Sequence, residues 1–235
     1  MRIAILGQDR RYQCLRELLR RAGVDLSGPA EADWVVTPWP APVDLPEGTR
    51  LVTCGPAAGP SGAMDLLRDE EYQGEIARMT AEGAIFAAMA AGEGRLEGED
   101  CLVAGWGRIG RALTAKLAGL GARVTALTRR ESAFGEIQRM GAIPRRTELA
   151  AQALAGKKFL FSTAPAMIFD GRALTHARKD VRIIDLASPP YGVDFQAAET
   201  AGLWIRRERG VPGRYCPQAA AGAIAQAMKR GGILS

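Results

Sequence analysis

Gly105-Trp106-Gly107-Arg108-Ile109-Gly110 form a GxGxxG, the spacing with which a strand–turn–helix unit receives a diphosphate. The apolar run CLVAG precedes it. A stretch with Ile109, Leu113, Leu117 and Leu120 at helical spacing follows, Gly121 ends that stretch, and RVTAL comes next. In this context Gly105 permits the tight turn, Gly107 lets the backbone approach a pyrophosphate, and Gly110 lets helix and strand pack closely. Unpaired N–H groups at the helix N-terminus face the phosphates. Residues 101–130 are therefore read as a site for a nicotinamide dinucleotide. About twenty residues past the glycines, an acidic residue would hold the ribose hydroxyls of NAD. The sequence has Thr128-Arg129-Arg130 there instead. Threonine does not repel a phosphate and guanidiniums pair with one, so NADP(H) is expected to be preferred, with NAD(H) possible. The alternative is that Arg129 and Arg130 only begin a solvated helix.

Other polar groups fall at the carboxyl ends of expected strands, where ligands bind in doubly wound sheets. Thr163-Ala164-Pro165 and Leu186-Ala187 are placed on the cofactor side of this crevice. Gly7-Gln8-Asp9-Arg10-Arg11 and Cys54-Gly55-Pro56 hold the same position in an earlier part of the chain. Each could instead cap a helix or a turn, and Asp185 serves a structural hydrogen bond at least as well as chemistry. Thr80-Ala81-Glu82-Gly83 interrupts a long helical stretch. Glycine in mid-helix costs about 1 kcal/mol relative to alanine, which close approach of a ligand or another backbone would explain. His176, the one histidine, lies among polar residues and is not expected to be catalytic, so alcohol–ketone chemistry with a histidine base is disfavoured. Cys14, Cys54, Cys101 and Cys216 form no CxxC pair, so neither a metal site nor thiol catalysis is expected.

These residues need a parallel α/β scaffold, and the chain's punctuation supplies one. RRAGVDL, GLGARVTAL, RMGAIP, ALAGKKFLFS and TAGLWI each end an amphipathic stretch in Gly and start an apolar run almost at once. That is the grammar of helix, left-handed stop and buried strand. Strands are expected at residues 2–6, 33–37, 50–54, 101–105, 123–128, 158–162, 181–186 and 203–205. Helices are expected at 11–22, with Leu15, Leu18, Leu19 and Ala22 on one face, at 72–91 and at 218–230. The predicted fold is α/β: two α/β lobes, the second a Rossmann doubly wound parallel sheet, joined by a long helix. Residues 1–71 form a flavodoxin-like lobe, 72–98 the linking helix and Gly-rich hinge, and 99–212 the NAD(P)-binding domain. Residues 213–235 form a C-terminal helix packing back on the first lobe.

The net charge of +5 comes from the doublets Arg10-Arg11, Arg20-Arg21, Arg129-Arg130, Arg145-Arg146 and Arg206-Arg207. They are scattered rather than gathered in one basic block, which suits small anions better than nucleic acid. No apolar run approaches the ~20 residues of a membrane span. The first apolar run is too short for a signal-peptide core, so a cytoplasmic protein is expected.

From about Tyr72 onward the chain resembles the A-subunit family of dipicolinate synthase, found in spore-forming bacteria. The resemblance rests on Thr80-Ala81-Glu82-Gly83-Ala84-Ile85, on the glycine motif, and on the specific stretch from Ile184 to Phe195, IDLASPPYGVDF. It continues through Val211-Pro212-Gly213-Arg214 and Pro217-Gln218-Ala219-Ala220-Ala221-Gly222. The chain departs from the family at Tyr191, where the family has the first of two glycines, and at Gln218, where it has lysine. Its N-terminal lobe is also shorter, although Gly7 to Arg11 resembles the family's opening. The resemblance implies oxidation of a dihydro- or tetrahydrodipicolinate, drawn from the lysine pathway, to dipicolinic acid, the calcium chelator of the spore core. It further implies a second, flavoprotein-like subunit, with the mother cell of a sporulating bacterium as the location. Hydride would pass to NAD(P)+ with loss of a proton. Aromatisation drives the reaction, leaving positioning to carry most of the catalysis.

A dianionic substrate calls for arginines, so Arg10, Arg11 and Arg214 are candidate substrate-binding residues, with Thr80, Glu82 and Ser188 as candidate catalytic ones. Each could equally be a surface or capping residue. Two alternatives stand beside this reading: a non-catalytic dinucleotide-binding subunit that docks a catalytic partner, and a dehydrogenase for another cyclic imine or amino acid. A homo-oligomer is expected.

Overall fold

The structure, a computed structural model, describes residues 1–92 and 94–234. Glu93, within the Gly-rich stretch expected as a hinge, and Ser235 lie outside the described residues. The strands are β1 (Arg2–Ile5), β2 (Asp25–Leu26), β3 (Trp34–Trp39), β4 (Leu51–Pro56), β5 (Met64–Asp65), β6 (Asp100–Ala104), β7 (Arg123–Thr128), β8 (Ile143–Arg146), β9 (Phe159–Ser162), β10 (Arg182–Asp185) and β11 (Trp204–Arg207). The helices are α1 (Arg10–Arg21), α2 (Glu70–Ala91), α3 (Arg108–Gly119), α4 (Phe134–Arg139), α5 (Ala150–Leu154), α6 (Gly171–Leu174), α7 (Phe195–Thr200), α8 (Val211–Tyr215) and α9 (Pro217–Arg230). The chain divides into two compact units, Met1–Met79 with Gly210–Ser235, and Thr80–Arg209.

The first unit is built on a parallel sheet of order β2-β1-β3-β4-β5. Ile3, Ile5, Val36 and Val52 pack one of its faces against Leu15 and Leu19 of α1 and Ile224, Ala227 and Met228 of α9. Ala4, Val35 and Leu51 form a second cluster with Leu6, Trp39 and Leu45. Side chains alternate across a strand, so a short run such as RIAI feeds both clusters. Asp9 starts α1, its carboxylate accepting the Arg11 N–H at 3.0 Å. Leu15 and Leu19 are buried as the helical spacing predicts, whereas Leu18 turns outward.

The second unit is a six-stranded parallel sheet of order β11-β10-β9-β6-β7-β8. Its two halves run outward from the β6/β9 pair, which is the doubly wound Rossmann arrangement with its crevice at that switch point. Leu102, Val103, Phe161 and Ile183 are fully buried, as strands covered on both faces require. The expected fold class is the one found. The helix-ending glycines Gly23, Gly121, Gly141, Gly156 and Gly202 all have positive φ, between 69° and 80°.

Three strands lie outside the expected set. β2 and β5 have two residues each and sit at the sheet edges, where short pairing suffices. β8 reads IPRR; proline is tolerated there because the strand is also an edge. α2 is the other difference. It runs unbroken through Gly83, so tertiary packing overrides the helix-breaking tendency of Thr80–Gly83. Among the described residues no helix is long and apolar enough to cross a membrane.

Candidate functional site

The carboxyl ends of β6, β7, β8 and β9 surround a cavity of about 350 Å³. Gly105 turns away from β6 with φ +115°, a conformation open to glycine, and its N–H donates to the Leu127 carbonyl at 3.2 Å. A Cβ on Gly105 would stand 2.5 Å from Thr163 Oγ1, and one on Gly110 would stand 2.0 Å from the Gly105 carbonyl oxygen. Gly110 therefore sets how closely α3 approaches β6. Gly107 faces open space and is the N-cap of α3, with no side chain capping the helix. The N-cap of a 12-residue helix thus lies on the cavity wall with no side chain capping the helix, an arrangement that favours an anion. Thr163 ties the opposite wall to β6, its N–H and hydroxyl both donating to the Ala104 carbonyl, at 2.8 and 3.0 Å.

Trp106 is buried and held by its Nε1–H, which donates to Glu136 at 3.0 Å. Thr128 is buried at the end of β7, and its hydroxyl accepts the Arg130 N–H at 3.1 Å. Arg129 and Arg130 both line the cavity and are exposed, and among the described residues neither forms an ion pair. Strand pairing sets Thr128 beside Arg146, so two of the arginine doublets converge at this rim. Arg146 pairs with Glu131 and Glu148, which occupies the nearest carboxylates.

The cavity gathers Gly105, Trp106, Gly107, Thr128, Arg129, Arg130, Thr163, Ala164 and Pro165. Gly110 supports it from behind. Arg108 and Ile109 begin α3 and do not line the cavity. Leu186 and Ala187 follow β10 outside it, anchored by the Ser162 carbonyl and the Asp185 carboxylate. Leu127, Thr147, Ala166 and Ile168 join the lining, although no sequence motif marks them. Thr147 would follow from the same strand-end rule once β8 is recognised as a strand.

The remaining candidates are dispersed. Thr80 is buried on α2. Glu82 is exposed on α2, pairs with Lys116 at 2.7 Å, and borders an apolar hollow with Ile85, Phe86 and Met89. Ser188 is exposed past β10, its carbonyl accepting the Tyr191 N–H. In the first unit Arg10 and Arg214 line one cavity of about 420 Å³ with Cys14, Cys216 and Gln218. Arg11 turns away from it, paired with Asp9 at 2.8 Å and stacked on Tyr12 at 4.9 Å. His176 is exposed beyond α6, and among the described residues no cluster of metal-ligating side chains occurs.

Over 151 residues the chain is 30% identical to the A-subunit of dipicolinate synthase from Bacillus subtilis (strain 168), a match covering 64% of this chain. It spans about half, 51%, of that curated relative's length. The fold is similar to the crystal structure of the dipicolinate synthase A-subunit from Bacillus halodurans, with TM-score 0.84, 22% identity, and coverage of 97% of this chain and 96% of that one. In sequence over those 151 residues and in fold, the chain is similar to the dipicolinate synthase A-subunit. The stretch that carried the resemblance, Ile184–Phe195, runs from β10 through a loop exposed at residues 188–190 and buried at Gly192 and Val193 into α7. The fold is also similar to that of a transhydrogenase from Sinorhizobium meliloti, with TM-score 0.79, 16% identity, and coverage of 98% and 92%. The architecture is the Rossmann-like, dinucleotide-binding type. No protein-family model matches the chain.

Proposed function

We propose that this chain is a dipicolinate-forming oxidoreductase subunit that binds NADP(H) in the Gly105 cavity and works with a flavoprotein-like partner. The carrying observation is that cavity itself. An uncapped helix N-terminus, an open Gly107 and two exposed arginines surround one hollow at the switch point of a Rossmann sheet. These residues fit a dinucleotide bearing an extra phosphate. The N-terminus of α3 would receive the pyrophosphate, and Arg129 and Arg130, which line the cavity, would hold a 2′-phosphate. When bound, the dinucleotide supplies the hydride acceptor. The substrate, a dihydro- or tetrahydrodipicolinate, is a dianion, and Arg10 with Arg214 offers the paired guanidiniums that would hold it. Each oxidation removes one hydride and one proton, and the last leaves an aromatic pyridine ring.

Titration with NADPH and NADH tests the cofactor assignment. Arg129→Gln/Arg130→Gln should weaken NADPH binding by about tenfold to a hundredfold, as expected for lost hydrogen bonds to a charged group. NADH binding should be unaffected. Equal affinity of the unaltered protein for both dinucleotides would remove the preference. Incubation with the partner subunit, NADP+ and fresh dihydrodipicolinate should give the ultraviolet absorbance of dipicolinate; no cofactor-dependent product would remove the activity.

One observation favours a second reading, a non-catalytic subunit that docks a catalytic partner. The ionisable side chains lining the Gly105 cavity are Arg129 and Arg130, and arginine does not serve as a proton acceptor near neutral pH. Unchanged turnover in Arg10→Ala and Arg214→Ala would support that reading.

A further inference from the structure

Among the described residues, Tyr191 is the one non-glycine residue with positive φ, at +67°. A bulky side chain there is a backbone outlier that persists when its surroundings hold it. Those surroundings are two arginines. The Arg207 guanidinium lies 3.7 Å from the centre of the Tyr191 ring and 5.0 Å from that of Phe195, and Arg209 lies 5.0 Å from the Tyr191 ring. Arg207 reaches this place from β11, which pairs with β10 in register Asp185↔Arg207. Its Nε stands 3.6 Å from the fully buried carboxylate of Asp185. The other oxygen of Asp185 accepts the Ala187 N–H at 3.2 Å. The guanidinium is thus fixed on one side by a buried charge and on the other by an aromatic face.

The residue after Tyr191 transmits this placement. Gly192 packs so closely on β9 that a Cβ would stand 1.8 Å from Ser162 Oγ and 3.1 Å from the Ala164 carbonyl oxygen. The Gly192 carbonyl accepts the N–H groups of both Ile168 and Phe169 at 3.0 Å. Ala164 and Ile168 line the Gly105 cavity. The cavity wall after β9 therefore hangs from Gly192, the residue that follows the Tyr191 on which Arg207 stacks.

We propose that Tyr191 and Arg207 are positioning residues for the dinucleotide: their stack fixes the Ala164–Ile168 wall of the Gly105 cavity in its binding geometry. This rests on the reading of that cavity as a dinucleotide site. A clamp that merely stabilised the fold would move the melting temperature and leave ligand affinity alone.

The test measures the NADPH dissociation constant of the full chain, with Tm determined alongside. Tyr191→Phe keeps the ring and should bind NADPH within about twofold of the unaltered protein. Tyr191→Gly suits the backbone conformation but removes the ring. It should fold, and it should weaken NADPH binding by about five- to thirtyfold, the range a partly desolvated cation–π contact supplies. Arg207→Met should weaken binding to a similar degree, and the double variant should be no worse than either single one. Should Arg207→Met fail to fold with Asp185 left unpaired, the Phe and Gly variants at Tyr191 still decide. Unaltered NADPH affinity in Tyr191→Gly, whatever its Tm, would overturn the proposal. Failure of the unaltered protein to bind NADPH or NADH is a different result; it would remove the cavity's assignment and this inference together.

Discussion

Neighbouring residues of one kind meet different fates in this chain. Arg10 and Arg11 are indistinguishable in sequence, yet Arg10 faces the cavity with Arg214 while Arg11 folds back on Asp9 and Tyr12. About 100° of helical turn separates consecutive residues of α1, and nothing in the sequence says where that turn begins. The four cysteines divide the same way. Burial pushes the thiols of Cys54 and Cys101 up to about 12, whereas Cys14 and Cys216 are half-buried and border the arginine-lined cavity. Thiolates react and thiols do not. At pH 8, iodoacetamide should label Cys14 and Cys216 and spare Cys54 and Cys101. Raising the pH to 10 leaves only about one in a hundred of the buried pair ionised and should recruit neither, whereas denaturant should expose both; peptide mass spectrometry reads the outcome. Labelling of Cys54 in the folded protein at pH 8 would contradict its burial.

The strand–turn–helix from β6 to β7 was legible in the sequence because its glycines have steric duties that no other residue performs. Gly110→Ala tests this: the added Cβ would meet backbone 2.0 Å away. The substitution should cost about 1–3 kcal/mol, as overpacking does, and should lower NADPH affinity. Gly222, in mid-α9 with open space around it, is the contrast. Gly222→Ala should raise stability by about 0.5–1 kcal/mol, the ordinary helix preference for alanine. Equal Tm changes in the two variants, measured by thermal melting, would refute the steric assignment. Illegible elements had physical reasons to be so. β2 and β5 are too short to show a period, β8 carries a proline and two arginines along an edge, and α2 runs through a glycine because its buried face holds it. The Tyr191–Arg207 stack was hidden for another reason: its members lie in separate elements until β10 and β11 pair.

At the scale of the whole molecule, the excess positive charge is partly organised. The doublets at 129–130 and 145–146 come together at the ends of adjoining strands of the second unit, while Arg10 and Arg214 line one cavity in the first. Dinucleotide and dicarboxylate recognition are then separable. Arg10→Ala and Arg214→Ala should each weaken dipicolinate binding by about tenfold while leaving the NADPH dissociation constant unchanged, as read by calorimetric titration of each ligand. Coupled losses in both constants would argue against two independent sites.

The first unit is assembled from both ends of the described chain, with residues 80–209 lying between its two parts. During synthesis, every strand of the six-stranded sheet therefore leaves the ribosome before α9 does. Domains fold as units while the chain emerges, so the second unit can finish while Ile3, Leu15 and Leu19 still lack the Ile224, Ala227 and Met228 that cover them. β1 is made before any strand of the second unit, yet it belongs to the unit that closes after it. A nascent chain whose residues up to 209 have just left the ribosome would carry a complete six-stranded sheet tethered to an apolar surface, the kind of intermediate that chaperones bind.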